Sequence, residues 1–164
     1  MDTNLDVDSS EKTLTLKKGS RLADDISEQN LFLSKLFESA RKLDASIVEP
    51  FIDEDDQFEE GTKYHFLASL KRMYTWGGMK DEVETVNERD VSCVSEHWCK
   101  FRDGVSTKGM RVRGFSYYSK PKKERMLLDL EPRFLFSFGL VQRFEQDLLT
   151  DIMLCGSIKP LPQK

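Results

Sequence analysis

The side chain best suited to acid–base chemistry is His65, which lies beside Tyr64 near the start of a predicted helix. An imidazole with a near-neutral pKa can act as a general base when it lies in a cavity. We expect Asp44 or Asp53 to orient it, so His65, Asp44 and Asp53 are the catalytic candidates. The alternative is a surface or helix-capping histidine, because no fixed spacing links the three residues.

Aromatic side chains form the candidate ligand-binding surface. Phe134, Phe136 and Phe138 alternate along a predicted strand and therefore share one face. Aromatic residues at such positions line a pocket or fill a core, and the pattern leaves both open. The predicted ligand-binding set is Tyr64, Phe115, Tyr117, Phe134, Phe136 and Phe138.

Two groups of residues have the chemistry of metal ligands without the spacing of a known site. Cys93, His97 and Cys99 share strand parity, but neither Cys-x-x-Cys nor a paired-histidine spacing is present, which favours core side chains over zinc. The acidic segment Asp53–Asp56 lacks the glycine of an EF-hand loop, which favours a solvated loop over a calcium or magnesium site. We therefore predict no metal and no cofactor.

Charge is unevenly distributed along a chain of net charge −4. Residues 1–60 hold 16 acidic and 7 basic side chains, whereas residues 100–125 hold 9 basic and 2 acidic ones. Basic residues interleaved with aromatic ones can hold single-stranded nucleic acid, and they also protect sheet edges from aggregation. The acidic remainder opposes attraction to phosphate, so we do not expect a nucleic-acid partner.

Composition and cysteine count indicate an intracellular globular chain. Charged residues make up 33% and hydrophobic residues 38%, and the three cysteines are an odd number. These values exclude collagen, a disulfide scaffold and a wholly disordered chain. No apolar run approaches the roughly 20 residues of a membrane span, and no signal peptide is visible. We expect a cytoplasmic protein with no membrane partner.

The first half of the chain predicts helices that would position these residues. Residues 1–25 are polar and predict a flexible tail, residues 26–158 a single domain, and residues 159–164 a second tail. An apolar stripe predicts a helix from Ile26 to Leu43, and Asp44 is a suitable N-cap for a short helix from Ala45 to Glu49. A further stripe predicts a helix from Lys63 to Tyr74, which the glycines after Trp76 end.

The second half predicts strands. Met110 to Ser119 is rich in aromatic residues, with a bulge expected at Gly114, and Met126 to Leu130 and Phe134 to Gly139 are further strands. Residues 141–155 fit either a helix, from a four-residue apolar spacing, or a last strand. The fold class is therefore α+β, with N-terminal helices packed against a curved, mainly antiparallel sheet.

This order of elements resembles the nuclear transport factor 2-like (NTF2-like) superfamily, in which a curved sheet wraps around helices to form a cone. The resembling segments are the helix from Phe32 to Leu43, Asp44 to Val48, the acidic link from Asp53 to Glu60, the helix from Tyr64 to Tyr74, and the strands after Gly78. The resemblance covers about residues 26–155 and is architectural. It implies small isomerases, dehydratases and hydrolases, or binding and dimerising modules without catalysis.

Three functional hypotheses follow. The leading one is a homodimeric module that binds a small apolar or anionic ligand or a protein partner. The second is a small isomerase, dehydratase or hydrolase that uses His65 and a carboxylate as its acid–base pair. The third is a nucleic-acid or acidic-protein binder that uses residues 100–125.

Overall fold

The computed structural model describes residues 22–23, 25–59, 61–91, 110–121, 123–124, 127–128, 132–156 and 160–161. The helices in these ranges are α1 (Ile26–Lys42) and α2 (Lys63–Tyr74), with short 3₁₀ turns between and after them. The strands are β1 (Gln57–Phe58), β2 (Gly61–Thr62), β3 (Thr85–Val91), β4 (Met110–Tyr118), β5 (Lys123–Glu124), β6 (Leu127–Leu128), β7 (Phe134–Glu145) and β8 (Leu148–Cys155). No helix in the described part of the chain is both long and apolar enough to cross a membrane.

Both predicted helices are confirmed, and local chemistry sets their ends. The Asp25 carboxylate accepts the Glu28 N–H at 2.8 Å and caps the start of α1. At the other end Leu43 adopts a left-handed conformation (φ 53°), which turns the chain. After α2, Gly77 and Gly78 have positive φ values of 60° and 70°, which glycine adopts at little cost.

The Asp44 cap is confirmed, but the segment after it is a 3₁₀ helix and is shorter than predicted. The Asp44 carboxylate accepts the Ser46 N–H at 3.0 Å, and the helix covers only Ala45–Ile47. A second 3₁₀ turn, Glu49–Phe51, follows directly. Pro50 lies inside this turn, near its N-terminus, where its missing N–H is tolerated.

The four long strands form one antiparallel sheet in the order β3-β4-β7-β8. Residues 141–155, which sequence alone left between helix and strand, form the end of β7, a tight turn and β8. The predicted bulge at Gly114 is wrong, because Gly114 pairs in register with both Arg89 and Gly139. The irregularity lies instead between Tyr117 and Tyr118.

The helices pack on one face of this sheet, so the α+β prediction is confirmed. The core between the two layers contains Phe32, Leu36, Ala40, Phe66, Leu70, Tyr74, Phe115, Tyr117, Phe138, Leu140 and Ile152, among others. Polar ties reinforce the contact between α1 and the sheet. The Glu88 carboxylate of β3 accepts from Arg41 of α1 and from Arg113 of β4, the latter at 2.7 Å.

The opposite face of the sheet contains a smaller apolar cluster of Val112, Val141, Met153 and Cys155. Leu161 also docks on the sheet. Its N–H donates to Ser116 Oγ at 2.9 Å, and its carbonyl oxygen accepts from the Tyr118 hydroxyl. Leu161 follows the predicted domain end at 158, and the buried Leu22 and Ala23 precede the predicted start at 26.

Candidate functional site

An apolar groove lies between the C-terminal end of α2 and the first part of β7. Its volume is about 280 Å³. The described residues that line it are Met73, Trp76, Phe134, Leu135, Phe136, Ser137, Phe138 and Gly156. The groove therefore combines a helix end, a strand and the residue that follows β8.

The groove lies where β7 extends beyond the end of β8, because β8 pairs with only part of β7. Cys155, the last residue of β8, pairs with Gly139. Phe134–Phe138 therefore have β4 on one side and, within the described ranges, no strand on the other. A strand edge of this kind presents main-chain N–H and C=O groups that can bind a ligand.

Two buried phenylalanines make the deep wall of the groove. Phe136 and Phe138 are both buried, and their rings pack against Tyr117 with centroid separations of 4.6 Å and 5.5 Å. Phe138 also stacks on Tyr74 at 5.7 Å. These contacts hold the two rings in place, so the wall is preformed.

Two aromatic residues that line the groove are, by contrast, open to solvent. Trp76 is 58% exposed and Phe134 is 40% exposed. Trp76 belongs to the 3₁₀ turn Trp76–Gly78, which the left-handed glycines place directly after α2. Large exposed aromatic side chains beside an apolar groove are typical of ligand-binding and interaction surfaces.

A second, smaller cavity of about 180 Å³ lies beside the groove. It shares Met73 and Trp76 with the groove and is otherwise lined by Ser69, Arg72 and Leu154. Positions 69, 72, 73 and 76 follow the helical spacing of three and four and so face one side. Arg72 brings a guanidinium group to this cavity, and among the described residues its side chain makes no ion pair or hydrogen bond.

A buried hydrogen-bonded network supports the helix wall from behind. The Tyr74 hydroxyl and Ser39 Oγ lie 2.7 Å apart, and Ser39 Oγ donates to the Leu36 carbonyl oxygen at 2.7 Å. Burial raises the pKa of the Tyr74 phenol, although the hydrogen bond with Ser39 opposes the shift. The phenol is therefore neutral at physiological pH, and the wall behind Phe138 is uncharged.

The predicted ligand-binding residues separate into three groups. Phe134, Phe136 and Phe138 are among the residues that line the groove, but the register shift pairs Phe134 with Tyr118 and Phe136 with Tyr117, so the three do not share one face as predicted. Phe115 and Tyr117 are fully buried in the core between the layers and do not line it. Tyr64 is 78% exposed on the first turn of α2, with its ring edge-on to His65 at 5.9 Å.

The predicted catalytic residues lie outside the groove. His65 is exposed, and its Nδ1 lies 3.0 Å from Thr62 Oγ1, so the ring is not in a cavity. Asp44 lines a separate surface pocket of about 210 Å³ together with Lys71 and Lys80. Asp53 is exposed in the acidic loop. The acid–base hypothesis therefore stays a prediction without a shared cavity to support it.

The residues of the metal and nucleic-acid hypotheses lie in other parts of the chain than the groove. Cys93, His97 and Cys99 lie outside the described residues. Carboxylate oxygens of Asp53, Asp55 and Asp56 lie within 4.8 Å of one another, and Asp56 Oδ2 accepts the Asp53 N–H at 3.0 Å. This bond identifies Asp56 as a residue that shapes the loop.

Three basic residues of segment 100–125 have described side chains, and each has an intramolecular contact. Arg113 binds Glu88 and Asp90. Arg111 lies over the Phe144 ring at 4.6 Å, and Lys120 lies 3.8 Å from Glu84. Nucleic-acid binding by this segment would have to compete with these contacts, and its other basic side chains lie outside the described residues.

Sequence reasoning did not assign Trp76, Arg72 or Gly156 to a site. The available pattern was the spacing of positions 69, 72, 73 and 76, which extends the helical period of α2 two residues past its end at Tyr74. Gly156 could not be assigned to a site from sequence, because its place beside the groove depends on the tertiary structure. In the fold, a Cβ at this position would lie 3.8 Å from Met73 Cε.

Comparison with known proteins gives only distant structural similarity. No protein-family model matches the chain, and no curated protein matches it. TsrD from Streptomyces laurentii superposes with a TM-score of 0.38 at 9% identity, over 80% of this chain and 90% of that one. A cystatin-fold protein from Novosphingobium aromaticivorans gives 0.34 at 12% identity, over 79% and 98%.

A proposed dehydratase of the NTF2-like family from Streptomyces avermitilis gives a TM-score of 0.31 at 11% identity, over 85% of this chain and 98% of that one. All three TM-scores lie below 0.5, which is too low to assign a function. The described residues form an α+β fold, with helices on one face of an antiparallel sheet.

Proposed function

We propose that this protein is a small-molecule-binding module whose site is the groove beside Trp76 and Phe134. One observation carries the proposal. An apolar groove of about 280 Å³ has a preformed wall of buried rings, and the exposed residues Trp76 and Phe134 are among those that line it. Small-molecule sites are concave, mostly apolar and largely preformed, with a few polar groups that fix orientation.

The edge of Phe134–Phe138, which pairs with no strand in the described part of the chain, supplies the polar part of this description. Main-chain groups at a strand edge can orient a ligand without a charged side chain. The ligand that these features favour has an aromatic or branched aliphatic body, because aromatic residues and the thioether of Met73 make up most of the lining.

The NTF2-like resemblance supports a cone-like binding module as the working architecture and a homodimer as the working assembly. A cytoplasmic location remains part of this proposal. Native mass spectrometry, followed by mass spectrometry of the denatured protein, reads the oligomeric state and any retained small molecule in one experiment. A retained organic mass would identify what to test next.

A direct test fills the groove. Gly156 lines the groove, and a Cβ there would have ordinary van der Waals contact with Met73 Cε, at 3.8 Å. Gly156→Leu should therefore occupy the groove without disturbing the core. The probe is 1-aminoanthracene, a neutral fluorescent aromatic amine. Ala68→Leu, on the exposed face of α2, adds the same bulk elsewhere and is the matched control.

We expect the wild type and Ala68→Leu to bind the probe alike, and Gly156→Leu to bind it at least about tenfold more weakly. Trp76 is one of two tryptophans in the sequence. If the bound probe quenches tryptophan fluorescence, loss of that quenching in Trp76→Phe would assign the response to the groove. Equal binding by Gly156→Leu and the wild type would place the probe elsewhere and contradict the proposal, and so would no binding by the wild type.

A further inference from the structure

The groove and the smaller cavity are neighbours with different linings. They share Met73 and Trp76 and have volumes of about 280 and 180 Å³. Phe134, Phe136 and Phe138 line the first cavity, and Arg72 lines the second.

Arg72 differs from several other arginines of the fold. Arg41 and Arg113 bind Glu88, and Arg133 binds Glu82 at 2.8 Å. The Arg72 side chain has no such partner in the part of the chain that the structure describes. Its place in the last turn of α2 suits the helix dipole, but this does not account for an apolar cavity against the same side chain.

The chemistry of the two cavities specifies a class of ligand. A guanidinium group binds a carboxylate through two parallel N–H···O bonds and discriminates it from a neutral amide. The aromatic wall of the groove takes an apolar body. One short molecule with both features would span the Met73–Trp76 wall that the cavities share.

We propose that the ligand is a small monocarboxylic acid with an aromatic or branched aliphatic body, and that Arg72 binds its carboxylate. This inference rests on the proposed function, because it names the class of ligand for the same groove. The apolar body lies against Phe136 and Phe138, and the carboxylate lies at the Ser69–Arg72 end.

The test compares an acid with its neutral isostere. Phenylacetate and phenylacetamide have nearly the same shape and differ in charge, and each is titrated against bound 1-aminoanthracene. We expect the wild type to bind phenylacetate about three- to tenfold more tightly than the amide, with the preference weakening at high salt.

Arg72→Met keeps the length and helix propensity of the side chain and removes its charge. In this variant the preference for the acid should disappear, while phenylacetamide and the probe should still bind. Lys71→Met is the matched control, because it removes a positive charge from the neighbouring position outside the groove. Lys71 lines the separate pocket that also contains Asp44. It should retain the preference for phenylacetate.

The outcomes separate the two proposals. If the probe binds in the groove but the wild type does not prefer phenylacetate, or Arg72→Met keeps the preference, the carboxylate inference is overturned and the binding function stands. If the probe does not bind the wild type at all, both proposals are overturned. Retained probe binding by Arg72→Met shows that the variant is folded.

Discussion

The hydroxyl of Tyr117 donates a hydrogen bond to the main-chain carbonyl oxygen of Ala40 at 2.7 Å, inside the core. Tyr117 belongs to β4 and is fully buried, and Ala40 lies in α1. Because the same ring packs against Phe136 and Phe138, this bond links α1 to the wall of the groove. The position of the helix and the shape of the site are therefore coupled through one side chain.

Removing that hydroxyl tests the link. Tyr117→Phe should lower the free energy of unfolding by about 0.5–1.5 kcal/mol, the net contribution of a buried neutral hydrogen bond. The cost stays modest because the Ala40 carbonyl oxygen also accepts the Leu43 N–H, at 3.3 Å. Urea denaturation measures the difference. Tyr64→Phe, at an exposed position, is the control, and an equal cost for both substitutions would contradict the prediction.

The pKa of the Glu88 carboxyl group predicts how the free energy of unfolding depends on pH. Burial alone would raise its pKa, but hydrogen bonds from Arg41 and Arg113 outweigh burial and hold the pKa below the ordinary value of 4.5. Since the pKa is lower in the folded state than in the unfolded state, the stabilisation is present above about pH 4.5. It is lost as the pH falls through the lowered pKa.

Glu88→Gln should therefore lower the free energy of unfolding at pH 7 by about 1–3 kcal/mol, the cost of losing charge-assisted bonds. The gap between variant and wild type should narrow as the pH falls below about 4.5. Urea denaturation from pH 7 to pH 3 measures both effects. Glu84→Gln, which removes an exposed pair with Lys120 at 3.8 Å, should change little. A gap that does not vary with pH would contradict this account.

Truncation of the Leu161 side chain should cause a large loss of stability, although the residue is close to the C-terminal end of the sequence. Its side chain is 1% exposed, and its main chain is held by Ser116 and Tyr118. Leu161→Ala should cost about 2–5 kcal/mol in the free energy of unfolding, as for leucines in cores. Leu31→Ala, at an exposed position of α1, should cost far less. Similar thermal midpoints for the two variants would show that Leu161 does not dock stably.

Gly61 and Gly78 form a matched pair for backbone strain. Both have positive φ, 118° and 70°, but only at Gly61 would a Cβ meet a close neighbour, His65 Cβ at 2.9 Å. Gly78→Ala should therefore show only the conformational cost, about 1–2 kcal/mol. Gly61→Ala should cost more, because α2 must shift at its first turn. Thermal denaturation of both variants measures the order, and a larger cost at Gly78 would contradict it.

The two helices could be predicted from sequence because their apolar stripes and capping residues agree. Residues 141–155 could not, for a geometric reason. Leu140, Phe144, Leu148 and Ile152 are spaced by four, which is close to one helical turn and is also an even multiple of the strand period. The turn that decides between them, Gln146-Asp147, has positive φ at both positions and lacks the glycine that usually marks such hairpins.

The site was predicted only in part. Alternation placed Phe136 and Phe138 on one face, as the structure has them, but it missed the register shift that pairs Phe134 with Tyr118 and so puts Phe134 on the other face. The same aromatic chemistry also suits a core, so sequence alone did not separate Phe115 and Tyr117 from the groove residues. That separation depends on where β8 ends relative to β7, and strand register is a tertiary property.

The mismatch in length between β7 and β8 has a consequence for how this site can be remodelled. Among the described residues β8 ends at Cys155, opposite Gly139, so its length decides how much of the Phe134–Phe138 edge it pairs with, whereas substitutions in the walls would also disturb the core behind Phe136 and Phe138. Two further residues paired in extended conformation after Cys155 would cover about 7 Å of that edge. Insertions and deletions at that point, in evolution or in engineering, can therefore resize the pocket while the rest of the fold is retained.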